Sequence, residues 1–97
     1  MLSDKQILFL RKQCHHLKPV VAVGNAGLTE NVINELDLAL AHHELVKVKI
    51  NTGDRDERKA MIDSIIEKTA ASLVQTIGHT ASFYRQADKP VIVLPKR

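Results

Sequence analysis

The feature of this sequence best suited to chemistry is a pair of glycines, Gly24 and Gly27, between an apolar run and a helical pattern. Glycine lets a backbone adopt positive φ and come close to a partner. Thr29 suits a helix cap, and the N–H groups and dipole of a helix N-terminus suit a phosphate oxygen. The spacing lacks the third glycine of a dinucleotide fingerprint and the Gly-Lys-Ser/Thr of a P-loop. It fits a phosphate-contacting loop and equally an ordinary tight turn.

Positive charge is the second feature. The chain has 14 Lys and Arg against 11 Asp and Glu, a net charge of +3. Residues 29–43 include three carboxylates and no Lys or Arg, so the remainder can present a positive face to a polyanion. The lysines at 47 and 49 also fit protection of a strand from aggregation, and Arg55, Arg58 and Lys59 also fit a solvated helix start.

Aromatic residues are scarce: Phe9, Phe83 and Tyr84 complete the set. RNA readers that stack bases on a sheet need exposed aromatic rings. If this chain binds RNA, the composition therefore predicts contacts to the backbone and phosphates.

Neither a metal site nor a catalytic site is predicted. His15-His16 and His42-His43 are adjacent pairs, and neighbouring side chains on a helix point about 100° apart, so neither pair converges easily on one ion. Ser, Asp and His occur in no recognisable nucleophile arrangement. We expect no cofactor, no small-molecule substrate and no enzymatic activity.

The length of 97 residues predicts a single domain, residues 1–97, without linkers or repeats. The single cysteine excludes an intrachain disulfide and fits a reducing compartment. No apolar run approaches the roughly 20 residues of a membrane span, and charges interrupt the first ten residues where a signal peptide is apolar. The expected location is the cytoplasm, with no membrane partner.

The elements that must position these residues begin with a helix. Ser3 and Gln6 form a predicted capping box. An apolar stripe at helical spacing follows, and Pro19 should end the helix by forcing Lys18 out of the helical region. The stripe comprises Ile7, Leu10, Cys14 and Leu17.

The remaining pattern alternates strands and helices. Residues 20–23 predict a buried strand, residues 29–43 a helix capped by Thr29, and residues 45–50 a half-buried strand with Lys47 and Lys49 on the outer face. Asp54 and Glu57 should cap a third helix. Its predicted core face is Ile62, Ile65, Ile66, Thr69 and Ala70.

The tail predicts strands at residues 73–77, 80–85 and 91–94, with Gly78 at a bend or bulge and a turn at residues 88–89. Helices between successive strands imply crossover connections. The fold class is therefore α/β, in the order α-β-α-β-α-β-β, with a sheet that is at least partly parallel.

Several ordered stretches resemble one known family. The run 17–30, Leu-Lys-Pro-Val-Val-Ala-Val-Gly-Asn-Ala-Gly-Leu-Thr-Glu, resembles the signature of CRM domains, the chloroplast RNA splicing and ribosome maturation family. The stretches 44–49, 74–78 and 83–85 match the same family in the same order, and the length is that of its stand-alone bacterial members, the YhbY-type proteins.

The resemblance implies a four-stranded mixed sheet with helices packed on it, similar to the C-terminal domain of translation initiation factor three. It also implies RNA binding, with the loop of Gly24 and Gly27 and an adjacent basic surface against the RNA backbone, and it makes Arg85 the basic residue of the Phe-Tyr-Arg stretch. Many family members carry a basic residue within the loop, where this chain has Asn25 and Ala26.

The leading hypothesis is a non-enzymatic factor that binds ribosomal RNA or a large-subunit precursor particle during ribosome assembly. The predicted RNA contacts are Gly24, Asn25, Ala26, Gly27, Lys18, Lys47, Lys49, Arg55, Arg58, Lys59 and Arg85. One alternative is a protein-interaction module that docks on a ribosomal or assembly protein. Another is a small phosphate-handling enzyme, for which the sequence shows no base and no cleft.

Overall fold

The computed structural model describes residues 2–51 and 53–97. Its elements follow the predicted order, so the fold class is confirmed. The helices are α1 (Asp4–Cys14), α2 (Glu30–His43) and α3 (Arg55–Thr69), and the strands are β1 (Val21–Val23), β2 (Leu45–Ile50), β3 (Ser72–Ile77) and β4 (Thr80–Tyr84). No helix in these ranges is long and apolar enough to cross a membrane.

The helix starts are fixed by short polar side chains, as predicted. Ser3 Oγ accepts the Gln6 N–H at 3.2 Å while Gln6 Oε1 accepts the Ser3 N–H at 3.0 Å, which completes the capping box of α1. Thr29 caps α2 and Asp54 caps α3, each accepting an N–H three residues ahead. The Glu57 side chain does not return a bond to the Asp54 N–H in the described structure, so the predicted Asp54–Glu57 pair is only half formed.

The four strands form one mixed sheet in the order β1-β2-β4-β3. β1 and β2 are parallel, while β2–β4 and β3–β4 are antiparallel. The parallel pair follows from α2, which carries the chain back to the starting end of the sheet between β1 and β2. The predicted mixed sheet is therefore confirmed.

Side-chain alternation along β2 separates two hydrophobic cores. Val46, Val48 and Ile50 pack with the apolar faces of α2 and α3, so we call this side of the sheet the two-helix face. Leu45 points to the other side and packs with Leu10 and other residues of α1. Because successive side chains of a strand alternate, the lysines of β2 share this second side. We call it the half-open face, because α1 covers only part of it.

Two of the predicted boundaries are wrong. α1 ends at Cys14 and a turn follows, although Leu17 still packs on the core that α1 covers. Residues 20–23 are not a fully buried strand: β1 has three residues, lies at the edge of the sheet and exposes Ala22. Val20, before it, is 46% exposed. An apolar run alone does not distinguish an edge strand from a central one.

The end of α3 and the β3–β4 connection also differ from the prediction. Ala70 is exposed and ends α3 with a left-handed φ of 61°, so Ala71 takes the core position. Gly78 lies in a two-residue turn, where its φ is 56°. The bulge occurs earlier in β3, between Leu73 and Gln75.

Residues 91–94 are not a strand, and β4 ends at Tyr84 rather than at residue 85. Ile92 and Leu94 nevertheless pack against the α1 core. These residues are held by side chains instead of by a neighbouring strand. Gln6 Nε2 donates to the Pro95 carbonyl oxygen at 3.0 Å, and the Glu44 carboxylate accepts the N–H groups of Ala87, Val91 and Ile92. We call residues 86–97 the C-terminal segment.

Candidate nucleic-acid interface

Three connections meet at one edge of the sheet. β1 and β2 are parallel, so their C-terminal ends lie together, and the Asn51 N–H donates to the Val23 carbonyl oxygen at 2.9 Å. The β3–β4 turn reaches the same place, where the Ile50 N–H donates to the His79 carbonyl oxygen at 2.6 Å. We call this end of the strands the loop edge, and the opposite end of the strands, near Leu45 and Tyr84, the far edge.

The glycine pair lies at the loop edge, and its two members differ. The Gly27 N–H donates to the Gly24 carbonyl oxygen at 2.9 Å, closing a turn, and Gly27 has a φ of 74°. Gly24 does not adopt positive φ, so that expectation holds for one glycine of the two. A Cβ built on Gly24 meets no atom within 4 Å. The backbone conformation therefore favours glycine at position 27 and does not favour it at position 24.

Several N–H groups after the loop are already bonded within the chain. The Thr29 N–H donates to the Gly27 carbonyl oxygen at 3.1 Å, and Thr29 Oγ1 accepts the Val32 N–H. Glu30 places an exposed carboxylate in the first turn of α2, where it would repel an anion. The start of α2 is thus less suited to a phosphate than the sequence suggested, and the loop offers mainly an exposed, sterically open backbone.

The start of α3 brings three cations to the loop edge. Asp54 Oδ1 accepts the Glu57 N–H at 2.9 Å, which fixes the start of α3 at Arg55. Arg58 is half-buried, donates from Nη1 to the Gly53 carbonyl oxygen at 2.8 Å and lines a small depression beneath the β3–β4 turn. Arg55 and Lys59 are exposed.

Two further cations lie on the half-open face. Lys49 is exposed and pairs in register with Ala22 and Thr80, close to the loop edge. Lys47 pairs with Ser82, one side-chain position further from that edge, and is half-buried. Within residues 2–51 and 53–97, the sole ion pair is formed elsewhere in the fold, so none of these five cations contacts a carboxylate within 4.0 Å.

Lys18 is separate from this group. It precedes β1 by three residues, and the Val20 N–H donates to the Lys47 carbonyl oxygen at 2.9 Å. Lys18 therefore lies toward the far edge, beyond the N-terminal end of β1, and it is exposed there.

Arg85 is also separate, and its guanidinium is engaged within the chain. Nη1 donates to Asp37 Oδ1 at 2.7 Å and to the Thr69 carbonyl oxygen at 2.8 Å, and Nη2 donates to the Asp37 carbonyl oxygen at 3.0 Å. These bonds join the middle of α2 to the last residue of α3. Arg85 follows β4 at the far edge, so the structure does not bring it to the glycine loop.

The residue that the sequence analysis missed is Glu44. Its side chain is fully buried, and its carboxylate accepts N–H groups from Ala87, Val91 and Ile92, each at 2.7 Å. Burial alone would raise the pKa of this carboxyl, but the three donors outweigh it and hold the pKa below its ordinary value. The signal available in the sequence was a lone acidic residue directly before an apolar strand.

Metal chemistry finds no support in the described part of the chain, where no group of three His, Cys, Asp or Glu side chains is placed to hold an ion. The adjacent rings of His42 and His43 are 6.4 Å apart, centroid to centroid, and tilted by 56°.

Comparison with known proteins gives consistent matches over most of the chain. An RNA-binding protein of Haemophilus influenzae is 47% identical over 96 residues, covering 99% of this chain and 97% of that protein. A Pseudomonas aeruginosa protein, named a probable RNA-binding protein, is 49% identical over 89 residues. The match covers 92% of this chain and 86% of the Pseudomonas protein.

A solved structure has the same fold. The solution structure of a hypothetical Staphylococcus aureus protein, proposed to bind RNA, superposes with a TM-score of 0.84 at 34% identity. The match covers 98% of this chain and all of that one. The model of the CRS1 / YhbY (CRM) domain matches residues 2–85, and with the shared fold and the sequence identities this shows that the chain belongs to the CRS1/YhbY (CRM) domain family.

Proposed function

We propose that this chain is a non-enzymatic, single-domain RNA-binding protein. Its RNA surface consists of the loop edge and the adjoining part of the half-open face. The Haemophilus influenzae relative is named an RNA-binding protein and the Pseudomonas aeruginosa relative a probable RNA-binding protein, which supports the class of partner. The contacts we propose are residues 24–27, Lys47, Lys49, Arg55, Arg58 and Lys59.

The observation that carries the proposal is the combination of open backbone and uncompensated charge. Gly24, Asn25 and Ala26 are exposed at the loop edge, and a side chain at position 24 would project into empty space. Five cations without carboxylate contacts lie on that edge and the neighbouring sheet face. A phosphodiester backbone can approach such a loop closely while lysine and arginine side chains neutralise its phosphates.

The proposed mechanism is electrostatic capture followed by close contact of the two backbones. Affinity should fall steeply with salt, because each neutralised phosphate releases counterions. Arg85 is left out as a direct contact, since its donors bind Asp37 and Thr69. Asn25 can add a polar contact from the loop.

The biological partner we propose is ribosomal RNA, bound in a precursor of the large ribosomal subunit during assembly. This part rests on the resemblance of the sequence to stand-alone bacterial CRM proteins. Sedimentation of a cell lysate tests it. The protein should migrate with a large-subunit precursor at low salt and be released by high salt or ribonuclease. Migration as a free small protein in both salts would contradict a stable association with the particle.

Charge reversal tests the location of the surface. The triple variant Arg55→Glu, Arg58→Glu, Lys59→Glu should lose most of its affinity for RNA in a filter-binding or fluorescence anisotropy titration. The matched control reverses Lys5, Lys68 and Lys96, three exposed lysines away from the loop edge, and so changes the net charge equally. Equal loss of affinity in the two triple variants would mean that overall charge, and not the loop edge, binds RNA.

A protein partner is the second candidate. Val91 and Val93 on the C-terminal segment are 63% and 87% exposed, which is a small apolar surface outside the proposed RNA site. If a ribosomal or assembly protein is the main partner, its binding should survive the triple reversal at the loop edge and weaken when both valines are replaced by serine.

A further inference from the structure

A second depression, remote from the glycine loop, opens on the half-open face. It has a volume of about 320 Å³ and lies between the turn after α1, the N-terminal ends of β1 and β2, and the C-terminal segment. Val20, which lines it, lies four residues before Gly24 along an extended chain, a separation of about 13 Å at about 3.3 Å per residue. We call it the β1 groove.

The β1 groove combines apolar and basic lining. Its apolar side chains are Leu17, Val20, Leu45 and Ile92. Lys18 and Lys47 also line it, together with His16 and His43. No carboxylate lines the groove within the described ranges. A ligand that matches the β1 groove must therefore carry an apolar face and a negatively charged group close to each other.

We propose that the β1 groove holds one unpaired nucleobase of a single-stranded RNA, with the flanking phosphates on Lys18 and Lys47. This inference rests on the proposed RNA-binding function. The volume is at the small end of the range for ligand sites, which suits a nucleotide-sized group. Aliphatic side chains contact the base face in place of the aromatic rings that the chain lacks.

The path of the strand supports the same assignment. Lys49 and Lys47 lie on the half-open face two residues apart, with Lys49 nearer the loop edge. Lys47 lines both the β1 groove and a smaller depression next to Ser82 and Gln75. A single strand crossing from the glycine loop to the groove would therefore pass Lys49, then Lys47, and reach Lys18.

A base-specific contact predicts a difference between single-stranded and duplex RNA. In a duplex the bases are paired and stacked, so the groove can accept a base only from an unpaired strand. The probes are a twelve-nucleotide oligouridylate, the same sugar-phosphate oligomer with all twelve bases removed, and a twelve-base-pair RNA duplex.

Val20→Ser is the diagnostic variant, because it removes apolar surface from the groove lining at an exposed position and leaves the charge unchanged. It should weaken binding of the oligouridylate about fivefold, as expected for the loss of one to two buried methyl groups, and leave duplex binding unchanged. Val93→Ser is the matched control, since Val93 is exposed outside the groove, and it should change neither affinity. The abasic oligomer should bind wild type and Val20→Ser equally.

The outcomes separate the two proposals. If wild type binds oligouridylate and Val20→Ser binds it equally well, the base site is refuted while RNA binding stands. If Val20→Ser weakens duplex and single strand by the same factor, the effect is structural and the base site is again refuted. If wild type binds none of the three RNAs, the proposed function itself fails. An acidic peptide as the true ligand would appear as the first of these outcomes.

Discussion

At Gly24 the chain has glycine where neither backbone conformation nor packing requires it. Replacing Gly24 by Ala should leave the free energy of unfolding unchanged or raise it by up to about 1 kcal/mol, because alanine restricts the unfolded chain. RNA affinity should fall, and Gly24→Val should lower it further, since each added carbon projects where the RNA backbone would lie. Urea unfolding and RNA titration of the same samples check both statements.

Gly27 provides the internal comparison for that experiment. Its φ of 74° lies in the left-handed region, so Gly27→Ala should cost about 1–2 kcal/mol of unfolding free energy. A loss of RNA affinity in Gly27→Ala can therefore arise from backbone strain as well as from a blocked RNA contact. Gly24→Ala tests the RNA contact without backbone strain. Wild-type affinity in Gly24→Val would remove position 24 from the interface.

Glu44 makes a prediction about pH. Its carboxyl has a lowered pKa in the folded protein, so its contribution to stability is complete above the ordinary value of 4.5 and is lost as the pH falls through the folded value. Glu44→Gln should cost about 1–3 kcal/mol at pH 7, because the amide presents one acceptor oxygen to three backbone N–H donors.

The measurement is the difference in unfolding free energy between wild type and Glu44→Gln as a function of pH. It should be constant from pH 7 down to about pH 5 and shrink below about pH 4.5, where the Glu44 carboxyl takes up a proton in the unfolded chain before it does so in the folded protein. Other carboxyl groups titrate in both proteins and cancel in this difference. A difference that did not change with pH would show that the charge of Glu44 is not what holds the C-terminal segment.

Among the elements, α2 and α3 are joined by Arg85 as well as by their shared core. Arg85→Met should retain the apolar part of the side chain and lose three hydrogen bonds, two of them to backbone carbonyl oxygens. Asp37 is 45% exposed, so the ion pair itself adds little, and we expect a loss of about 1–2 kcal/mol in urea unfolding.

The same Arg85→Met protein should bind RNA with wild-type affinity, provided that the titration is made well below its unfolding midpoint. Arg11→Met is a suitable control, because Arg11 Nε also donates to a backbone carbonyl oxygen, that of Val74, and joins α1 to β3. Affinity that fell more than about threefold in Arg85→Met alone would return Arg85 to the set of phosphate contacts.

The elements also show where sequence patterns suffice. Ser3, Thr29 and Asp54 cap their helices through hydrogen bonds to residues three positions ahead, and the side chains of β2 alternate within six residues. Because these patterns are local, the starts of the helices and the bounds of β2 were predicted at or close to their positions in the structure. Residues 91–94 have the composition of a strand but find no strand partner. Their amides bind the carboxylate of Glu44, almost 50 residues earlier, which no local pattern reveals.

The candidate site was predictable in part for the same reason. Residues 24–27 and the start of α3 were each recognisable locally, and the parallel pairing of β1 with β2 is what places them at one edge. Arg85 could not be assigned from its type, because its partners come from two different helices. The β1 groove is formed by segments from four parts of the chain and has no signature in any one of them.

For the whole molecule, the arrangement of charge predicts how binding responds to salt. A single phosphate contact contributes about 0.7 to the slope of log K against log salt concentration for single-stranded RNA. Lys49→Gln should reduce the slope by about that amount, because Lys49 is exposed beside the loop edge. Lys68→Gln, at the other end of α3, should leave the slope unchanged. Equal slopes in the two variants would argue against a phosphate contact at Lys49.

The buried thiol of Cys14 is a chemical probe of how often α1 separates from the sheet. It is the single cysteine of the chain and has no solvent exposure, since it packs beneath α1 against Leu45 and Tyr84. A thiol reagent can reach it only when α1 lifts from the sheet, so the modification rate reports the frequency of that opening in the native protein. A strand of RNA lying across the half-open face, beside the end of α1, should slow this rate, and kinetics of thiol labelling would then follow occupancy of the sheet without any attached dye.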